Sequence, residues 1–130
     1  MLAAIAAGGA LGAVARYGVT QLVHVSPASF PWATFWTNVS GSFALGVALV
    51  LILQHYPPSR FARPFVATGF LGAYTTYSAF AVETVVLAND GAAGLAGAYA
   101  AASLAGGFGA VWAGIVLGRI LAGASRDGAR

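Results

Sequence analysis

The sequence predicts an all-α integral membrane protein built from four transmembrane helices. Three observations predict it. Hydrophobic residues make up 59% of the chain and charged residues only 7%, against about 25% charged in an ordinary soluble domain. The mean hydropathy is +0.82. The apolar residues also fall into four stretches, each near the roughly 20 residues that cross a bilayer core, separated by short loops of helix-breaking residues. Six arginines and three acids are too few to cover a soluble protein of this size with polar surface. The length suits a single domain, residues 1–130.

The first span is predicted from Leu2 to about Val23. It has no charged n-region and is followed by further spans, so it reads as a membrane helix and not as a secretion signal. Gly8 and Gly12 stand at the small-xxx-small spacing that lets helix backbones touch in lipid. The loop SPASFP, Ser26 to Pro31, ends it with two prolines. The second span runs from about Trp32 to Leu53. Thr34, Asn38 and Ser42 recur every four residues and so share one helix face, and Gly41 and Gly46 add small contact surfaces. The loop QHYPPSR, Gln54 to Arg60, leads to a third span from about Phe61 to Leu87, which the turn NDG, Asn89 to Gly91, terminates. The fourth span runs from about Ala92 to Leu121. It carries Tyr99 and Ser103 on one face, continued by Gly106 and Gly107, with Gly109 and Gly114 beyond. The polar tail GASRDGAR is expected to fray.

These spans use nearly the whole chain, so any function is expected inside the bilayer or between subunits. There is no cysteine, which excludes disulfides and thiolate metal sites. The arginines form no basic run, so the charge of +3 is no nucleic-acid signal. Arg60 and Arg63 flank the second loop, and Arg119, Arg126 and Arg130 lie towards the C-terminus. The other two loops carry no Arg or Lys. By the positive-inside rule both termini are predicted in the cytoplasm. No enzyme is expected: His24 and His55 stand at loop edges with no partner at metal or triad spacing.

Polar residues inside a span are expensive and therefore informative. Single Ser and Thr hydroxyls read most simply as hydrogen bonds between helices. Asn38, a full amide deep in the second span, reads as functional. The stretch GFLGAYTTYSAF, Gly69 to Phe80, poses the sharpest question. Two glycines and two β-branched threonines are poor helix material. A break there would free backbone groups that lipid cannot satisfy, so they would face protein, a cavity or an ion. The competing reading is a continuous helix whose hydroxyls bond back to earlier carbonyls. Residue types alone leave both open.

Three motifs in order, GGALGAVARY (Gly8 to Tyr17), TFWTNVSGSFALG (Thr34 to Gly46) and GFLGAYTTYSAFAVE (Gly69 to Glu83), resemble the Fluc (CrcB) fluoride channel family across almost the whole chain. The resemblance implies a passive, multi-pass channel in a prokaryotic cell membrane that exports fluoride. It implies a third helix broken near Gly72–Thr76. It also implies an antiparallel homodimer, or a heterodimer with a related chain, enclosing two narrow fluoride paths. A structural sodium ion, not transported, would sit between the two broken helices on backbone carbonyls, here those of Gly72 and Thr75. The pore asparagine matches Asn38, with Ser42 one turn on. The aromatic pair matches Tyr77 and Phe80. The hydroxyl track matches Thr76, Ser78 and Tyr99. Arg16 and Glu83 match further family positions. Two departures stand out: TTYSAF replaces the family's usual TTFSTF, so Tyr77 adds a phenol and Ala79 removes a hydroxyl.

That residue set suits a small hard anion. Amide and hydroxyl donors replace lost water, and aromatic rings present a positive edge. Several weak donors permit release as well as entry. Arg16 either concentrates anions at a vestibule or extends its charge to the interface. Other classes compete. A small proton-coupled multidrug exporter would need a deep carboxylate in the first span, which here holds Arg16 instead; Glu83 is the one acid within any span. A non-transporting scaffold subunit would use the polar stripes only for packing. The arginine bias also runs against a homodimer whose copies insert both ways, because such a chain should balance its charges.

Overall fold

The computed structural model describes residues 1–26, 29–52 and 60–127, the last three by backbone alone. Among the described residues every regular element is helical. In chain order they are α1 (Leu2–Leu22), α2 (Trp32–Val50), α3 (Pro64–Leu71), the single turn α4 (Gly72–Tyr74), α5 (Tyr77–Asn89) and α6 (Ala93–Asp127). Four spans are long and apolar enough to cross a membrane: Leu2–Leu22, Trp32–Val50, Pro64–Asn89 and Ala93–Ala124. α3, α4 and α5 together make the third. The predicted boundaries hold within a few residues, except that α6 continues past Leu121 to Asp127, into the tail expected to fray. Leu53, most of the QHYPPSR loop with His55, Pro27, and the side chains of Arg126 and Arg130 lie outside the described residues.

The 19 residues of α2 span about 29 Å at 1.5 Å per residue, which matches a bilayer core of about 30 Å. The 35 residues of α6 reach about 52 Å, so this helix tilts or projects into the headgroups. The turn before it is built as the NDG motif requires. Gly91 takes φ +83°, a left-handed conformation that glycine adopts without steric cost. The Ala92 N–H then closes the end of α5 by donating to Leu87 O at 2.9 Å.

Packing divides the bundle into two pairs. α1 lies along α3 and α4, while α2 lies along α6, with α5 returning onto α6. Glycines make both seams. A Cβ on Gly8 or Gly12 would run into the backbone of Phe65 or Phe70, and one on Gly46 or Gly114 into the facing α6 or α2 backbone. Small-residue contacts of this kind replace the hydrophobic drive that lipid removes. Gly109 and Gly97 meet nothing within 4 Å, so these two are not seam residues.

The third span therefore has two allegiances: its first half belongs to α1 and its second to α6. The small core sits under the second half, where Leu87, Ala96 and the fully buried Tyr99 pack against Phe30, Phe35, Phe80 and Leu95. The outer surfaces remain apolar, with Leu2, Val14, Leu104, Phe108, Trp112 and Ile120 all exposed, as suits faces that meet lipid or another chain.

Candidate functional site

The third span is broken, and the break lies after both glycines of GFLGAYTTYSAF. Helical backbone ends at Tyr74. Thr75 (φ −75°, ψ 157°) and Thr76 (φ −145°, ψ 115°) are extended, and the helix restarts at Tyr77. The glycines serve other ends. Gly69 lets α3 touch α1, since a Cβ there would crowd Ile5 O and Gly8 Cα. Gly72 closes the wide α3 turns, its N–H shared between Ala67 O and Gly69 O. Such wide turns recur beside functional sites. The threonines make the break. Thr75 Oγ1 folds back onto Leu71 O at 2.9 Å, and Thr76 Oγ1 caps α5 by accepting the Ala79 N–H at 3.2 Å, the standard task of an N-cap threonine.

Asn38 of α2 reaches across to this break. Its Nδ2 donates to Thr76 O at 2.9 Å, and its Oδ1 accepts the Thr76 N–H at 2.8 Å. One side-chain amide thus pairs with one residue's backbone as a neighbouring strand would. In an unbroken helix the Thr76 N–H would donate to Gly72 O, and the Ala79 N–H to Thr75 O. Both donors are diverted, to Asn38 and to the Thr76 side chain. The carbonyls of Gly72 and Thr75 therefore lose their helical donors.

Two grooves meet at Thr76. The first, about 480 Å³, is lined by Asn38, Ser42, Thr75, Thr76, Tyr77, Phe80, Ser103 and Phe108 among others. The second, about 600 Å³, is lined by Arg16, Tyr17, Thr34, Thr37, Thr76, Ser78 and Glu83 among others. The first is mainly apolar with a few convergent polar groups, the usual character of a binding site. The second carries the polar residues of α1, α2 and α5.

Glu83 anchors the second groove. Its Oε1 accepts from Thr34 Oγ1 at 2.7 Å and its Oε2 from Tyr99 Oη at 2.8 Å. Tyr99 is fully buried and its ring lies edge-on to Phe30, centroids 5.2 Å apart, and beside Phe80 at 5.4 Å. Phe80 in turn lies 5.8 Å from Tyr77, a residue that is 80% exposed. An aromatic run thus extends from the loop before α2 to the break.

The predicted site residues separate into groups. Asn38, Ser42, Tyr77, Phe80, Thr75, Thr76 and Gly72 share the first groove. Ser78, Arg16 and Glu83 share the second. Tyr99 sits behind both, on Glu83. Thr34 and Ser103 were legible as stripe residues, but not as the holder of Glu83 and as a groove hydroxyl. Ser103 Oγ is buried with no hydrogen-bond partner among the described residues. Its spacing of four from Tyr99 was the available signal. Tyr74, which meets Ser40 Oγ at 2.9 Å, gave no sequence signal beyond its place in the motif.

A family model described as "CrcB-like protein, Camphor Resistance (CrcB)" matches residues 3–115. A fluoride-specific ion channel FluC of Rhodospirillum centenum is 46% identical over 119 residues, covering 90% of this chain and 94% of its own. A protein of the same name from Acidobacterium capsulatum is 46% identical over 120 residues, covering 91% and 96%. A fluoride-specific ion channel FluC 3 of Streptomyces avermitilis is 42% identical over 120 residues, covering 92% of this chain; the chain spans 59% of that relative's length.

Proposed function

The chain belongs to the CrcB-like protein family, and from that premise we propose that it is a fluoride channel, passing the anion down its electrochemical gradient and so out of the cell. Relatives that cover most of the chain carry the name fluoride-specific ion channel. It is a multi-pass membrane protein. The single observation that carries the reading is the break at Thr76, a joint between two grooves that places donors and aromatic edges at membrane depth.

On this reading the anion loses water stepwise. The second N–H of Asn38, not used on Thr76, and the groove hydroxyls give hydrogen bonds in its place. The edges of Tyr77 and Phe80 offer weak positive potential without a fixed charge that would trap the ion. Arg16, on the rim of the second groove, raises the local anion concentration there. The mechanism moves no covalent bond, so the chain is no enzyme.

The break, half-buried at Thr75 and Thr76 and exposed at Gly72, supports an antiparallel dimer. Lipid cannot satisfy the carbonyls of Gly72 and Thr75, and a second copy would bring two more against them. A sodium ion held on those four carbonyls fits the donor set, being a hard cation offered neutral oxygens already relieved of their helical donors. When bound, it would supply fixed positive charge near the anion paths. Gly72 also has open space beside it: a Cβ there would meet only Ala67 O at 3.8 Å.

Efflux from liposomes loaded with fluoride, with a potassium ionophore to relieve the charge, tests the reading. Rapid fluoride loss with chloride retained is expected. Retention of both ions by well-folded protein, alone and with any related chain from the same genome, would refute it.

A further inference from the structure

The pairing of Asn38 with Thr76 has a consequence that donor chemistry toward an ion does not require. We propose that Asn38 is a positioning residue: its side chain holds the third span broken and decides whether the Gly72 carbonyl is free. The inference rests on the channel reading only for its flux measurement.

Two acceptors compete for a single hydrogen. The Thr76 N–H has two possible acceptors, Gly72 O along its own helix or Asn38 Oδ1 from α2. In the structure Asn38 takes it at 2.8 Å and returns a bond to Thr76 O at 2.9 Å. Both halves of the amide are needed. Oδ1 alone would divert the N–H but leave Thr76 O without a donor inside the bilayer, where an unsatisfied backbone group is strongly unfavourable. A nonpolar side chain at 38 would leave both groups bare. The cheapest remedy is for the Thr76 N–H to return to Gly72 O, which rewinds the helix through Thr75 and Thr76.

Rewinding has a defined geometric effect. An extended residue rises about 3.3 Å and a helical one 1.5 Å, so healing two residues would shorten the span and rotate α5 against α6. Tyr77, Phe80 and Ser78 would then leave their grooves, and Thr76 would no longer border both. Asn38 sits in the middle of α2, which is fixed to α6 by the Gly46–Gly114 contacts, so it offers a rigid reference from outside the broken span.

The test is solid-state NMR of the assembled protein in lipid, read beside fluoride efflux. In the unmutated protein a through-space contact between Asn38 Nδ2 and the Thr76 carbonyl carbon is expected, and its absence alone overturns the proposal. In Asn38→Ala, the Cα and carbonyl shifts of Thr75 and Thr76 should move from extended to helical values, and flux should fall at least about tenfold, the effect of one to two lost hydrogen bonds. Asn38→Leu, closer in volume, carries the same expectation if the alanine variant does not assemble. Asn38→Asp retains the acceptor but, when ionised, offers Thr76 O no donor, so its shifts should also move towards helical values. Extended shifts persisting in the alanine and leucine variants would overturn the proposal even if flux is lost, because the break would then hold without Asn38. Helical shifts with flux intact would overturn it as well.

Discussion

Removing the Tyr99 hydroxyl should reverse the sign of its effect according to what stands at position 83. Tyr99→Phe keeps the ring between Phe30 and Phe80 and deletes only the bond to Glu83 Oε2 at 2.8 Å. Hydrogen bonds to charged groups contribute about 1.5–3 kcal/mol in water-soluble proteins. Between membrane helices they average nearer 0.6 and reach about 1.7 kcal/mol. The carboxylate keeps its second donor, Thr34 Oγ1 at 2.7 Å, so a loss of about 1–2 kcal/mol is expected. Glu83→Leu removes the acceptor and leaves the buried Tyr99 hydroxyl beside only the Thr34 and Ser103 hydroxyls. In that background Tyr99→Phe removes a hydroxyl that has lost its carboxylate and should be neutral or stabilising. Reversible unfolding in mixed micelles, followed through Trp32, Trp36 and Trp112, gives the four free energies of the cycle. A coupling of at least about 1 kcal/mol is expected for groups in direct contact. Equal destabilisation by Tyr99→Phe in both backgrounds would refute the reasoning, since the hydroxyl would then be bonded to something other than Glu83.

Other parts of the structure give sharp expectations. Gly12→Val pushes a side chain into the Phe70 backbone and should cost about 1–3 kcal/mol of stability, whereas Gly109→Ala, facing open space, should change it little; the same unfolding assay compares them. Exhaustive dialysis of the purified protein into sodium-free buffer should lower its melting temperature and its flux, and sodium should restore both; an unchanged melting temperature counts against a structural ion at Gly72 and Thr75. Reporter fusions to the C-terminus should give signal on both sides of the membrane if the chain forms an antiparallel homodimer. Signal from the cytoplasmic side alone would require a partner chain of opposite orientation.

The spans were legible because bilayer thickness imposes a length on apolar runs and because prolines and NDG punctuate them. The small-residue seam at Gly8 and Gly12 was legible for the same kind of reason, since lipid leaves few other ways to hold helices together. The break was half legible. Its neighbourhood could be read from Gly69 to Phe80, and the break falls on the two threonines of that reading, not on its glycines. Gly69 is conformationally helical and is there for contact with Ile5 and Gly8. The break instead needs an acceptor 38 positions away in sequence, Asn38 Oδ1, and no local rule reports that. The Glu83 cluster was illegible for a related reason. Thr34, Glu83 and Tyr99 lie on three different helices, and each could be placed on a face without revealing that the faces converge.

Which donors remain for an anion depends on which are already engaged. A hydroxyl has one hydrogen to give. Thr34 and Tyr99 give theirs to Glu83. Thr37, Thr75 and Thr84 give theirs to backbone carbonyls one turn back. Thr76 and Ser78 meet each other at 3.3 Å. On the first groove this leaves the second N–H of Asn38, the hydroxyls of Ser42 and Tyr77, one hydrogen of the Thr76–Ser78 pair, and the buried hydroxyl of Ser103. On the proposed path Tyr99 therefore acts through Glu83, and Ser103 meets the ion. Ser103→Ala separates these roles. A buried hydroxyl without a partner is destabilising, so its removal should leave stability equal or raised. If Ser103 donates to the passing anion, fluoride flux should nevertheless fall about three- to tenfold, the equivalent of one neutral hydrogen bond. A more stable protein that conducts less is an outcome packing alone does not produce. Undiminished flux in Ser103→Ala would remove Ser103 from the path and leave Asn38, Ser42 and Tyr77 as the donors of the first groove.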